Sequence, residues 1–387
     1  MGIYDVAVVG LGALGSAAVW QAVRKGAKVI GFEQFEFGHV KGASHDTSRI
    51  VRTSYDAPEY VALAKSAYRD WADLESSVGM KLLTVTGGIV VIAKDATEGP
   101  TIENYTASLT ANNLSYELLS SAQVQERWPQ ITIGENMAAV YSADTGMAHA
   151  SKSVTAMQFA ARAHGADLRE NTPVTSVTPI GGEGKGYIIR TPAGLFKAKK
   201  VILATDAWTN QLLEPLGAHI PLTIMQEQVT YYKPTTPAAF DKEKFPVWIC
   251  FINGKGFYGF PTFGEPTIKA ARDFSENTMP LDKRTFVHSP ELLDELTNFM
   301  GDFISRDQKL QTLRTVTCQY AITPERQFVL GPLPDNPDVF VALGAGHAFK
   351  FAPVIGRVMA ELAIDGATKE DISSFAVPTK ATPRARL

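Results

Sequence analysis

Apolar and polar positions at the start of the chain fall into a strand, a turn and a helix. Tyr4 to Val9 reads as a strand, and its end at Val8 and Val9 suits a buried parallel sheet. Gly10 to Gly15 is a turn, and Ala17 to Arg24 continues as a helix with Ala18, Val19, Trp20 and Ala22 as its apolar positions. Lys28 to Phe32 is the next strand and ends at Glu33. Residues 56 to 75 predict a helix, because Tyr60, Leu63, Ala64, Ala67, Trp71 and Leu74 recur at helical spacing. Asp56 and Glu59 form a capping-box pattern there, with Pro58 in the first turn. From Pro173 to Thr205 short strands surround a loop, Gly181 to Gly186, that is too rich in glycine for helix or strand, and they close with Val201 to Ala204. Residues 221 to 273 alternate aromatics with Gly and Pro and predict antiparallel sheet. Ser289 to Phe303 predicts a helix with Leu292, Leu293, Leu296, Phe299 and Met300 on one side. Val339 to Leu343 is a buried strand, Gly344 to His347 a turn, and a helix follows from about Ala352 to Ile364. Strand, glycine turn and helix thus occur at both ends of the chain. One domain is therefore expected to be built from discontinuous pieces.

At 387 residues the chain is long enough for two domains. A formal net charge of −3 gives no basic excess, so no nucleic-acid partner is expected. No apolar run reaches bilayer length, so no membrane partner is expected either. The strand-like start predicts no secretory leader. Val6 stands where a myristoylation signal needs Ser or Thr. Two cysteines, Cys250 and Cys318, exclude a disulfide framework and a cysteine-rich zinc site, so no metal is expected. A reducing, cytoplasmic setting is expected. The final Ala385-Arg386-Leu387 resembles a peroxisomal address and supplies the alternative.

The first turn carries specific chemistry. Gly10, Gly12 and Gly15 fit Gly-x-Gly-x-x-Gly after a strand and at the start of a helix. Gly10 permits the tight turn, Gly12 lets the backbone approach a pyrophosphate, and Gly15 lets helix pack closely on strand. The helix N-terminus faces the phosphate charge. Glu33, about twenty residues on, is placed to accept hydrogen bonds from a ribose. A dinucleotide is therefore expected, but the motif by itself does not separate FAD from NAD.

Further marks decide the cofactor. They are Gly42-Ala43-Ser44-His45, Ser48-Arg49-Ile50-Val51-Arg52, Tyr258-Gly259-Phe260-Pro261, Lys269, Cys318-Gln319-Tyr320, Thr323-Pro324-Glu325-Arg326-Gln327-Phe328 and Gly346-His347-Ala348-Phe349-Lys350-Phe351. In order and approximate spacing, over nearly the whole chain, they resemble the monomeric sarcosine oxidase and N-methyltryptophan oxidase family. The resemblance implies an α/β fold: a glutathione-reductase-type FAD-binding Rossmann domain with a second, mostly antiparallel-sheet substrate domain. The expected division is residues 1–85, 146–220 and 321–387 for the FAD-binding domain, and 86–145 with 221–320 for the substrate domain. The implied reaction takes a secondary amino acid, N-methyl or cyclic. A hydride passes from the C–N carbon to flavin N5, and the products are an imine and H2O2. The small-molecule amino acid and O2 are the expected partners of a monomer.

The same resemblance implies roles. Arg52 and Lys350 bind the substrate carboxylate, a task for which the planar guanidinium is well shaped. Arg49 and His45 lie beside the flavin, Lys269 is the cation that activates O2, and Tyr258 and Tyr320 line the substrate pocket. Cys318 is tethered covalently to the flavin through sulfur, whereas Cys250 belongs to the core. Gly10, Gly12, Gly15, Glu33, Ser44, Val174, Gly346, His347 and Lys350 complete the expected cofactor contacts. The chain departs from the family at Ala348, where a glycine is usual, at Asp46-Thr47-Ser48, and at Asp273, four residues after Lys269, where sarcosine oxidases carry His. An acid at that point favours a substrate with hydroxyls or an extra positive charge. A sugar-conjugated (fructosyl) amino acid is therefore an alternative substrate. Readings of another class are an NAD-dependent dehydrogenase and a flavin-binding protein without catalysis.

Overall fold

In the computed structural model, which describes residues 2–97, 99–181 and 185–378, the first apolar run becomes the strand Tyr4–Val9. It lies parallel between Val29–Phe32 and the end of Gly194–Leu203. The sheet runs Ser176–Pro179, Tyr187–Thr191, Gly194–Leu203, Tyr4–Val9, Val29–Phe32, Asp167–Arg169. The C-terminal hairpin, Val329–Leu333 with Asn336–Leu343, joins it alongside Gly194–Leu203. The order follows from composition: the central strands are buried on both faces, as continuous Val and Ile runs require. The helix Ala13–Arg24 starts directly after the glycine turn, four residues earlier than its periodicity suggested, and packs against Ala352–Asp365 and Ala150–Ala163.

A second eight-stranded sheet runs Leu310–Ile322, Thr223–Pro234, Ile268–Asp273, Lys255–Phe260, Val247–Ile252, Gly88–Ala93, Met137–Ser142, Glu117–Ser120. All its pairings are antiparallel except that of Val247–Ile252 with Gly88–Ala93. Period-two alternation divides its side chains between two faces. Ile268, Ala270, Trp248, Cys250 and Phe257 face a core closed by the helix Pro290–Phe303. There Phe257 stacks on Phe299 with ring centroids 3.9 Å apart. Lys269, Asp273 and Tyr258 take the other face, towards the first sheet. A three-stranded sheet of Arg49–Val51, Gly146–Ala148 and Leu83–Val85 lies between the two in the chain's path.

Several sequence expectations need correcting or bounding. The second helix spans Pro58–Val78, and its N-cap is Ala57, with no side-chain cap. The capping box of Asp56 and Glu59 does not form. Pro58 occupies the first turn, and a residue before proline is pushed out of the helical region, so the cap position falls on a residue with no acceptor. The strand expected from Lys28 begins at Val29. Residues 182–184 of the glycine-rich loop, and the terminal Ala385-Arg386-Leu387, lie outside the described residues. No helix among the described residues is long and apolar enough to cross a membrane.

Candidate active site

A cavity of about 590 Å3 runs from the glycine turn, between the two large sheets, to the face carrying Tyr258 and Lys269. At its first end Gly10 has φ +87°, and a Cβ there would meet the Ala204 carbonyl oxygen at 2.4 Å. A Cβ on Gly15 would lie 1.8 Å from the Gly10 carbonyl oxygen, which no repacking relieves. Glu33 accepts from the Leu11 amide at 2.9 Å and the Phe35 amide at 3.2 Å, and His39 Nε2 stands 3.4 Å away. Burial opposes its charge, but His39 and the Leu11 amide hold the carboxyl below its ordinary range. Ser44 Oγ accepts from the Ala13 amide at 2.9 Å and so ties the loop before His45 to the start of the helix. Val174 and Gly346 also line this cavity.

At the other end five basic side chains meet. Arg49 donates to the carbonyls of Ser48 at 3.0 Å and Ala43 at 3.1 Å, and its Nη2 lies 3.8 Å from Cys318 Sγ. Arg52 sits 4.0 Å over the Tyr55 ring and donates to Tyr105 Oη at 3.4 Å and to the Ser54 carbonyl. Lys350 Nζ donates to the His347 carbonyl at 3.0 Å. Among the described residues, neither Arg52 nor Lys350 has a carboxylate within 4.0 Å. Burial and the nearby Arg52 push Lys350 well below the ordinary lysine range, with Asp273 opposing. Lys269, 3% exposed, donates to Asp46 at 3.0 Å and to the Ser48 carbonyl at 2.8 Å. The fifth basic side chain is Arg326. His45 is buried, its Nε2 has no partner among the described residues, and burial followed by Arg49 pulls it down to about 4, so it is neutral near pH 7.

Asp273 faces the cavity as expected, but its charge is already matched. Arg326 grips both its oxygens, at 2.9 and 2.6 Å. Sequence reading gave Arg326 no role. Its direction comes from Glu325 and Arg326 at φ +58° and +57°, consecutive left-handed residues that no propensity predicts. Such conformations cost about 1–3 kcal/mol each and persist only where the surroundings impose them. Removing Arg326 strands the acid. The Arg326→Gln variant is expected to lose about 1–3 kcal/mol of stability in thermal denaturation, with most of it recovered on adding Asp273→Asn. An unchanged melting temperature in Arg326→Gln would show that the pair contributes nothing. Asp46, Tyr231 and Glu227 were also missed. Glu227 lies across the strand pair from Cys318, accepts from the Ser275 amide, and burial pushes it up to about 7. The departure at Ala348 has a local explanation, because a Cβ on Gly344 would fall 2.4 Å from the Ala348 methyl. The alanine fills space that the glycine leaves.

The cavity fits a flavin dinucleotide. Its glycine end admits no side chain, since a Cβ on Gly12 would lie 2.9 Å from Ser44 Oγ, and the helix N-terminus faces it. Its far end offers basic side chains and His45 Nε2, which has no partner among the described residues. A profile described as "DAO: FAD dependent oxidoreductase" matches residues 5–362. The chain belongs to this family of FAD-dependent oxidoreductases. It is 32% identical over 385 residues to the monomeric sarcosine oxidase of Streptomyces avermitilis, covering 96% of each chain. It is 27% identical to the N-methyl-L-tryptophan oxidase of Yersinia pestis, over 97% of this chain and 98% of that one. The open form of NikD, an unusual amino acid oxidase essential for nikkomycin biosynthesis, superposes with a TM-score of 0.85 at 27% identity, covering all of both chains. As a member of this family, the protein is an FAD-dependent amine oxidase acting on CH–NH, an amino acid oxidase of the sarcosine oxidase type.

Proposed function

We propose that the protein oxidises a secondary α-amino acid, N-methyl or cyclic, and passes the electrons to O2 to give H2O2. The observation that carries this is the pair Arg52 and Lys350, two basic side chains on the cavity wall without an anionic partner among the described residues. A substrate carboxylate is the anion they suit. Arg49 and Lys269 share the single carboxylate of Asp46, and the positive charge left over disfavours an ammonium in the same space and so favours the neutral amine, whose lone pair the oxidation needs. Bound FAD supplies the two-electron acceptor. Tyr258 and Tyr320 wall the space between the pair Arg52 and Lys350 and Lys269, and Lys269 is the charge that O2 meets. The expected domain division, with residues 1–85, 146–220 and 321–387 holding the cofactor, is part of this reading. A monomer is proposed from the name of the Streptomyces relative. An H2O2 assay across N-methyl amino acids, pipecolate, proline and fructosyl amino acids tests the substrate class. Turnover of the N-methyl or cyclic compounds is expected. Peroxide from the fructosyl compounds alone would replace this reading by its alternative.

Cys318 is proposed as a covalent tether for the flavin. Its support is position: the buried sulfur lies 3.8 Å from Arg49 and 4.0 Å from the Ala43 carbonyl, both of which line the cavity. Burial raises the thiol above its ordinary range, and Arg49 works against that rise. Acid-precipitated wild type is expected to keep its flavin, and Cys318→Ser to release it or lack it. Complete release of FAD from precipitated wild type would remove the tether and leave the oxidase reading intact.

A further inference from the structure

The loop before Arg49 holds a carboxylate in an unusual posture. Asp46 has φ +85°, a left-handed conformation that a non-glycine residue adopts only under constraint. The constraint is visible. The amide and the hydroxyl of Ser151, in the first turn of the helix Ala150–Ala163, both donate to the Asp46 carbonyl, at 3.1 and 3.0 Å. This fixes the side chain, 8% exposed, against Lys269 Nζ at 3.0 Å and 3.8 Å from Arg49 Nη1. Tyr231, 2% exposed, donates its hydroxyl to the other carboxylate oxygen and lies 2.8 Å from Thr47 Oγ1. Both carboxylate oxygens are therefore held by groups of the sheet and loop, and neither is left for substrate. A strained acid buried against two cations of the active site has one evident use.

We infer that Asp46 is a positioning residue that keeps Lys269 charged and fixed at the cavity wall. The inference rests on the reading of Lys269 as the charge that O2 meets. Its physics is that of a buried ammonium. Without an anion, a lysine enclosed between the Phe260 ring, 4.4 Å away, and the protein backbone loses its proton. Burial already pulls Lys269 down to about 8, and Asp46 is the largest influence opposing that fall. The other charged and titratable groups around it are Arg49 on its own side of the cavity, Cys318 on Leu310–Ile322, and Tyr231 on Thr223–Pro234. Tyr258 stands on the adjacent strand, and His149 acts from the N-cap of Ala150–Ala163. Arg314 sits 3.8 Å over the Tyr231 ring. Arg314 is itself paired with Glu265, whose charge also reaches Asp46, so of the two carboxylates here it is Asp46 that contacts Lys269.

The test uses the holoenzyme and two variants that keep the backbone, Asp46→Asn and Asp46→Gly, since asparagine and glycine both tolerate the left-handed conformation. With 13C-labelled lysine, the side-chain resonance missing from Lys269→Met identifies Lys269. Its titration is expected to centre near pH 8 in the wild type and at least about one unit lower in both variants, because an anion within 4–6 Å holds the charged form by about 1–3 units. The pH above which stopped-flow reoxidation by O2 slows is expected to move down with it. A Lys269 midpoint unmoved in a folded Asp46→Asn or Asp46→Gly protein overturns the inference. If the midpoint moves and the reoxidation profile does not, Asp46 still sets the charge, and the role of Lys269 towards O2 is what falls.

Discussion

Replacing Lys269 by Met is expected to slow the reaction of the reduced enzyme with O2 by about 100- to 1,000-fold, while anaerobic reduction by substrate stays within a few-fold of wild type. The first electron that O2 gains makes an anion beside a buried ammonium. A preorganised cation stabilises that anion without the reorganisation water would require. Lys269 meets the requirement: it lines the cavity, is 3% exposed, and is held by Asp46 and the Ser48 carbonyl. Methionine keeps the length and removes the charge. On the proposed reading the substrate is held by Arg52 and Lys350 and not by this ammonium, so the two half-reactions should separate in stopped-flow absorbance. The same argument gives a pH dependence. The useful form is the protonated one, so the rate constant with O2 is expected to be constant below the Lys269 midpoint and to fall as pH rises through about 8. Equal reoxidation in Lys269→Met and wild type would move the assignment to Arg49.

Arg52→Gln is expected to raise KM for a carboxylate substrate about 100-fold, with a smaller change in kcat. A hydrogen-bonded ion pair removed from a partly desolvated site costs about 2–5 kcal/mol, part of it because the substrate anion then lacks a partner. Lys350 cannot take over the load. Its ammonium is a single point charge and cannot reproduce the two-pronged hydrogen bonding of the guanidinium. A bound carboxylate should lift Lys350 back towards its charged form, so binding takes up a proton. Affinity for an unreactive carboxylate such as isobutyrate is therefore expected to weaken as pH rises. Titrations in two buffers of different ionisation enthalpy measure that uptake. Unchanged KM in Arg52→Gln would place the carboxylate elsewhere in the cavity.

What could be read without coordinates were features set by local rules. The Gly10 turn follows from a backbone that admits no Cβ, and the strand–turn–helix around it follows from period and composition. Alternation along Ile268–Asp273 sets Lys269 on the face opposite Ile268 and Ala270, but its expected role came from the family resemblance. The capping box at Asp56 failed on a rule equally local, the effect of Pro58 on its predecessor, which the pattern had outweighed. The pairing of charges lay beyond such rules. Asp273 and Arg326 are 53 residues apart, Asp46 and Lys269 are 223 apart, and each contact depends on a left-handed residue that tertiary packing imposes. Sequence determined which ionisable groups this protein owns and on which strands they lie. The tertiary structure decided which are neutralised and which are left for a ligand, because Coulomb energy depends on distance and burial, and neither is a property of local sequence.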